Sequence, residues 1–182
     1  MTKLDVDLLV MTQMREYVLE QLEARFRAHK LYEASDPDEM LARIAPNIRA
    51  IATGAHKYVD VALMEKLPNL EIVSNFGVGY DNVDAKSAGT RGIIVTNTPD
   101  VLSDEVADTA IGLMINAVRE LPQAEQFLRA GKWKSDNYPL TQNTLRKKRL
   151  GIAGLGRIGK AIAERAESFG LSIAYYGRTN QN

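Results

Sequence analysis

The sequence predicts an α/β protein: a parallel sheet flanked by helices, followed by the opening unit of a second parallel sheet. Three observations carry this prediction. Strand-like and helix-like patterns alternate five times in about the first hundred residues, the signature of parallel strands joined by crossover helices. A long periodic helix follows Pro99. Beyond it, a glycine motif stands between an apolar run and a helix, and a second apolar run comes after.

The elements follow in order. Leu4 to Met11 (LDVDLLVM) alternates and then runs apolar, which suits a buried strand. Met14, Val18, Leu22 and Phe26 recur at four-residue spacing and mark one helix face. Lys30 to Ala34 (KLYEA) reads as a short strand. Asp36-Pro37 opens a helix, a capping oxygen followed by a proline whose missing N–H does no harm in the first turn. Met40, Leu41 and Ile44 give that helix its apolar face. Ile48 to Thr53 is a third strand, Tyr58 to Leu67 a helix stopped by Pro68-Asn69, and Leu70 to Phe76 a fourth strand. Asp84 to Ala88 is a short helix broken by Gly89 and Gly92, and Ile93 to Thr98 a fifth strand ended by Pro99. From Asp100 to Glu120 the apolar stripe (Val106, Ala110, Met114, Val118, with Ile111 and Ile115 alongside) is wide. It predicts a well-buried helix in which Gly112 allows a close crossing. A further helix spans Gln123 to Ala130, ending at Gly131, and Ser135 to Thr144 reads as loop. The domain boundary is placed at Pro99, giving residues 1–99 and 100–182.

Composition narrows the function. Hydrophobic residues are 45% and charged residues 25%, an ordinary globular balance. Lys+Arg is 23 and Asp+Glu is 23, so net charge argues against a polyanion-binding protein, and no nucleic-acid partner is expected. The basic run Leu145 to Arg149 reads first as a solvated turn, with nucleic-acid contact a weak second. The chain has no cysteine, which excludes disulfides and thiolate metal sites, and no metal site is predicted. The N-terminal apolar run contains two aspartates and does not read as a signal peptide. No run approaches the ~18 apolar residues of a membrane span. A cytoplasmic location is expected.

Ligands of parallel sheets sit at the carboxyl ends of the strands. After the fourth strand comes NFGVGYDNVD, Asn75 to Asp84, with Gly77 and Gly79 flanking Val78. Two readings stand. The loop is a backbone cradle for a carboxylate or phosphate, helped by the start of the next helix near Asp81 to Asp84. Alternatively it is a strand-to-helix turn that needs glycine for its geometry.

The glycine motif is more specific. Leu150 to Ala153 is a strand, and Gly154-Leu155-Gly156-Arg157-Ile158-Gly159 matches G-x-G-x-x-G. The helix it opens continues through Ile162, Ala163 and Ala166 to about Gly170, and Leu171 to Tyr176 is the second strand. Gly154 makes the turn, Gly156 lets a pyrophosphate approach the backbone, and Gly159 lets helix and strand pack closely. The expected ligand is a dinucleotide. An acidic residue at the end of the second strand would bond the ribose 2′-hydroxyl of NAD. None lies between Ser168 and Asn182; the strand ends in Gly177-Arg178-Thr179 instead. A guanidinium and a hydroxyl there suit a 2′-phosphate, so NADP(H) is expected over NAD(H). The competing reading makes Arg178 an exposed turn residue.

NFGVGYDNVD, VTNTPDVLSDEVADTAIGLM, Gly131-Lys132-Trp133 and GLGRIGKAIAERAESFG together resemble the D-isomer-specific 2-hydroxyacid dehydrogenases in order and spacing. With Tyr176-Gly177-Arg178-Thr179 the chain is most similar to the NADPH-dependent glyoxylate/hydroxypyruvate reductase branch. The resemblance implies a flavodoxin-like substrate domain followed by a Rossmann domain, here incomplete, with the active site between them. It implies that the Val78 and Gly79 amides hold the carboxylate of a small 2-oxo or 2-hydroxy acid. Leu155 to Ile158 would contact the pyrophosphate and Thr109 would lie close to the nicotinamide. It also implies a homodimer linked in part by the long helix after Pro99.

Hydride transfer to a 2-oxo acid needs an acid for the new alkoxide and a cation for the carboxylate and carbonyl. In the family these are a histidine supported by a carboxylate, and an arginine, all downstream of the glycine motif. They are expected beyond Asn182, so no catalytic residue is assigned in this chain, and the 182 residues alone are expected to be inactive. His29 and His56 both lie upstream; His56 reads as an ordinary loop histidine. The alternative to an enzyme is a non-catalytic, dinucleotide-sensing, corepressor-like scaffold.

Overall fold

The computed structural model describes residues 3–54 and 56–180. The chain forms two compact units, Met1–Pro99 and Asp100–Asn182.

In the first unit, β1 (Asp7–Val10), β2 (Arg27–Lys30), β3 (Ile48–Thr53), β4 (Ile72–Asn75) and β5 (Ile94–Thr96) form one sheet in the order β2-β1-β3-β4-β5. Every neighbouring pair is parallel. That order is the flavodoxin-like doubly wound arrangement. The period of two along a strand sorts its side chains between two cores. Leu9, Ile51 and Val73 face one core, shared with α2 (Pro37–Ile44), α3 (Val61–Lys66) and α4 (Ala85–Thr90) through Leu41, Ile44, Met64 and Ala88. Leu8, Val10 and Ala52 face the other, against Leu19 and Leu22 of α1 (Glu16–Arg25) and against Phe26. Leu9, Ile51 and Val73 are fully buried, each worth about 1.5–3 kcal/mol in removed apolar surface. On the α1 face, Ala50, Ala52 and Ser74 line, with Met14, Leu22 and Phe26, an apolar pocket of about 410 Å³.

Several local expectations are corrected. The second strand is Arg27–Lys30, and Leu31–Glu33 forms a 3-10 turn instead of the predicted KLYEA strand. The apolar Leu31-Tyr32 pair drew the prediction, yet an edge strand needs no apolar run. Its register is pinned by polar groups: Arg27 Nε donates to Asp7 at 3.2 Å and His29 Nε2 lies 2.6 Å from the same carboxylate. The helix predicted from Tyr58 begins at Val61, because Asp60 is its cap and accepts from the Leu63 amide at 2.9 Å. Val59 instead bridges Val83, its N–H donating to Asn82 O and its carbonyl accepting from Asp84 N. The short helix α4 runs through Gly89 to Thr90, and the break falls at Gly92, whose φ is +73°.

In the second unit, α5 (Ser103–Arg119) packs with α7 (Arg157–Glu167) over the two-stranded parallel sheet of β6 (Arg149–Ala153) and β7 (Ser172–Tyr176). Ile111, Ala166 and Leu171 are its buried centre, with Met114, Ile115, Leu150, Ile162 and Ile173 half-buried around them. The helix predicted to be well buried is not: in α5 only Ala107 and Ile111 are buried, while Leu113 is 64% exposed. A Cβ on Gly112 would meet no atom, so no close crossing forms there among the described residues. Glu120, in the left-handed region at φ 54°, separates α5 from α6 (Leu121–Arg129).

Candidate functional site

The first candidate surface lies at the carboxyl ends of β3, β4 and β5, where the loop after β4 carries Gly77, Val78 and Gly79. Asn75, the last residue of β4, is 1% exposed and directs its amide into this loop. Its Nδ2 donates to Gly79 O at 2.8 Å and to Gly77 O at 3.4 Å. The Thr98 amide also donates to Gly77 O, at 3.0 Å. Asn97, just past β5, donates to Val78 O at 2.7 Å. Asn82, 8% exposed, donates to Gly54 O and Lys57 O at 3.0 Å and reaches Asn75 Oδ1 at 3.3 Å. The carbonyls of Gly77, Val78 and Gly79 are thus all occupied. By contrast, the amides of Val78, Gly79 and Tyr80 donate to no acceptor among the described residues. Three successive free N–H groups make a concentration of positive partial charge suited to a carboxylate.

The helix after this loop does not assist. It starts at Ala85, and the Asp84 carboxylate already caps it, accepting from Ser87 N at 2.9 Å and Ser87 Oγ at 2.8 Å. Those bonds, the backbone one foremost, hold the Asp84 carboxyl below the ordinary aspartate range. The expectation that the start of this helix would serve the anion is therefore corrected: the loop amides stand alone.

The second candidate surface is the turn between β6 and α7. Gly154 sits at φ +95°, a left-handed conformation that favours glycine. A Cβ on Gly159 would collide with the Gly154 carbonyl oxygen, so helix and turn meet backbone to backbone. Gly156 has open space where its Cβ would be. No side chain caps α7, and its first helical hydrogen bond, Lys160 N to Gly156 O at 2.9 Å, leaves the Arg157, Ile158 and Gly159 amides without helical partners. This open, uncapped helix start fits a pyrophosphate, with Leu155 beside it in the turn. Arg157 pairs with Asp100 at 2.7 Å on the surface.

β7 delivers its end to the same side of the small sheet, the Gly154 amide donating to Tyr176 O at 2.8 Å. Gly177, Arg178 and Thr179 follow, all exposed. Arg178 makes no ion pair among the described residues. Thr109, on the exposed side of α5, donates its hydroxyl to Glu105 O at 2.8 Å. His56 is exposed in the loop after β3, and His29 is held by Asp7 at the opposite, amino end of β1. Among the described residues no three His, Cys, Asp or Glu side chains are grouped to hold a metal ion, and no helix is long and apolar enough to cross a membrane.

Asn75, Asn82, Asn97 and the Tyr80 amide are absent from the sequence-based site. The sequence carries a signal for them: asparagines end or follow two adjacent parallel strands, and a third closes the glycine loop.

A family model, D-isomer specific 2-hydroxyacid dehydrogenase, catalytic domain, matches residues 8–180. A glyoxylate/hydroxypyruvate reductase of Arabidopsis thaliana is 43% identical over 96% of this chain and 55% of its own length. The NADPH-dependent glyoxylate/hydroxypyruvate reductase of Sinorhizobium meliloti, solved in complex with citrate, superposes with a TM-score of 0.83. It is 46% identical, covering 97% of this chain and 55% of its own. A 2-hydroxyacid dehydrogenase of Ketogulonicigenium vulgare superposes at 0.90, with 41% identity over the whole chain and 56% of its own. The chain spans about half the length of the curated relatives it matches. A 2-1-3-4-5 parallel sheet, a loop of free amides after its fourth strand and an uncapped glycine turn, in this order and matched across nearly the whole chain, make it a member of the D-isomer-specific 2-hydroxyacid dehydrogenase family.

Proposed function

We propose that this chain supplies the substrate cradle and the first cofactor-binding unit of a reductase that converts a small 2-oxo acid of the glyoxylate or hydroxypyruvate type to its D-2-hydroxy acid. The observation that carries this reading is the loop of free Val78, Gly79 and Tyr80 amides whose carbonyls are all bonded elsewhere. Residues 1–99 act as the substrate domain and residues 100–182 as the start of the dinucleotide domain. A reduced nicotinamide, when held by these residues, would supply the hydride for the carbonyl carbon. The chain's own part is to hold: the Val78 and Gly79 amides bind the carboxylate, and the α7 start with Gly154, Leu155, Gly156, Arg157, Ile158 and Gly159 binds the pyrophosphate. Thr109 would lie close to the nicotinamide, and Gly177, Arg178 and Thr179 would read the ribose phosphate. NADP(H) is the preferred cofactor, which the unpaired Arg178 and the absence of acid from Ser168 onward support. The Sinorhizobium meliloti relative, also solved with NADP and malonate, supports the same pairing of ligands.

The exposed Leu113 and Val106 of α5 support a homodimer, which sedimentation of native protein against Leu113→Glu would read as loss of dimer in the variant. The test of the whole reading is binding followed by turnover. The purified chain is expected to quench or enhance NADPH fluorescence saturably and to bind malonate. With glyoxylate it is expected to show no NADPH oxidation, because His29 is held by Asp7 at the amino end of β1 and His56 is read as an ordinary exposed loop histidine. Failure to bind either ligand overturns the proposed site; steady NADPH oxidation overturns the assignment of the catalytic acid outside these residues.

A further inference from the structure

We propose that Asn75, Asn82 and Asn97 are positioning residues that aim the loop amides at the substrate carboxylate, with Asn82 acting at one remove through Asn75. The proposal rests on the reading of this loop as the carboxylate site. It begins from the peptide unit. A peptide group is planar and trans, so its N–H points away from its own C=O. Fixing a carbonyl therefore fixes the direction of the amide on the next residue. The Gly77 carbonyl, held by Thr98 N at 3.0 Å and Asn75 Nδ2 at 3.4 Å, directs the Val78 amide. The Val78 carbonyl, held by Asn97 Nδ2 at 2.7 Å, directs the Gly79 amide. The Gly79 carbonyl, held by Asn75 Nδ2 at 2.8 Å, directs the Tyr80 amide.

Glycine makes this bracing necessary. Gly77 and Gly79 lack the Cβ that restricts backbone rotation, and a loop free to turn its peptide planes would present carbonyls as readily as amides. Carbonyl oxygens facing a carboxylate repel it. The asparagines remove that alternative by occupying the carbonyls from the protein side.

Asn75 can brace only in one orientation. A flipped amide would set its oxygen against the Gly77 and Gly79 carbonyls and its nitrogen against the Asn82 nitrogen, so the network itself assigns the orientation. Asn82 enforces it. Its Nδ2 lies within bonding distance of Asn75 Oδ1, Gly54 O and Lys57 O, tying the loop after β3 to the end of β4. Both side chains are almost fully buried, so each lost bond would leave a polar atom without water.

The test uses the whole 182-residue chain with malonate as the probe, read by the amide resonances of Val78, Gly79 and Tyr80, and NADPH fluorescence as the second readout. In the native chain malonate is expected to shift those amides saturably. Asn82→Ala is expected to weaken malonate about tenfold, and Asn97→Ala about fivefold with loss concentrated on the Gly79 amide, while NADPH affinity is unchanged. A purely structural role would lower both affinities together with the melting temperature, or neither. Should Asn82→Ala fail to fold, Asn97→Ala decides, because Asn97 is only half-buried and makes a single bond. Native malonate affinity in a folded Asn97→Ala chain overturns the positioning role and leaves the site reading intact. Absence of any shift in the native chain overturns the site and this proposal with it.

Discussion

In the proposed reading, cofactor choice turns on Arg178. It follows β7 at the surface, has no ion-pair partner among the described residues, and no acid accompanies it to the end of the chain. A guanidinium in that place gains two charge-assisted bonds from a 2′-phosphate and nothing comparable from a 2′-hydroxyl. Arg178→Ala is expected to weaken NADPH about tenfold and to leave NADH within about twofold, measured by fluorescence titration. Tighter NADH than NADPH in the native chain sinks the preference. Gly154, Gly156 and Gly159 were legible in the sequence because glycine spacing encodes backbone geometry directly. Asn75, Asn82 and Asn97 were not, because a side-chain amide declares its partner only when three strand ends are brought together.

At the level of elements, the expected limits of β3 match the structure, since a six-residue run rich in isoleucine between Pro46 and Gly54 is too short for a helix and bounded by breakers. β2 was misplaced because its order comes from charge. Asp7, at the start of β1, accepts from His29 and Arg27 of β2, and Arg27 also pairs with Asp5. The His29 bond first, then Arg27, pulls the Asp7 carboxyl below its ordinary range. A carboxyl depressed in the folded state contributes stability that is complete above its unfolded pKa, about 3.9, and is lost as pH falls through the folded value. Urea midpoints are therefore expected to drop below about pH 4 in the native chain. Asp7→Asn is expected to lower the midpoint at neutral pH and flatten that acid limb. An unchanged acid limb in the variant would assign it to other carboxylates. The stripe of α5 differs in the other direction: periodicity reports an apolar face, whereas burial needs something to lie against it, and Leu113 is 64% exposed among the described residues.

At the level of the molecule, the two units differ in how much they bury. The first carries a five-stranded sheet with a core on each face. The second has two strands and a core centred on Ile111, Ala166 and Leu171. Two strands are marginal alone, whereas a sheet covered by helices is self-sufficient. Residues 1–99 expressed alone are expected to melt in one sharp transition, and residues 100–182 alone in a broad one, followed by circular dichroism. A broad melt for residues 1–99 would overturn the boundary as a folding boundary.

By itself the sequence determined the alternation of strands and helices, the glycine turn before α7 and the cationic end of β7. Each of these is a local property, written in residue type and spacing. The tertiary structure decided that the loop amides after β4 stand free, that the start of α4 is closed by its own Asp84, and that Asn82 reaches the loop through Asn75. The bonds of Asn97 to Val78 and of Asn82 to Gly54 join groups far apart in sequence, and hydrogen bonding has no memory of chain order, whereas Asp84 closes α4 by a contact three residues away that shows only once the helix start is fixed.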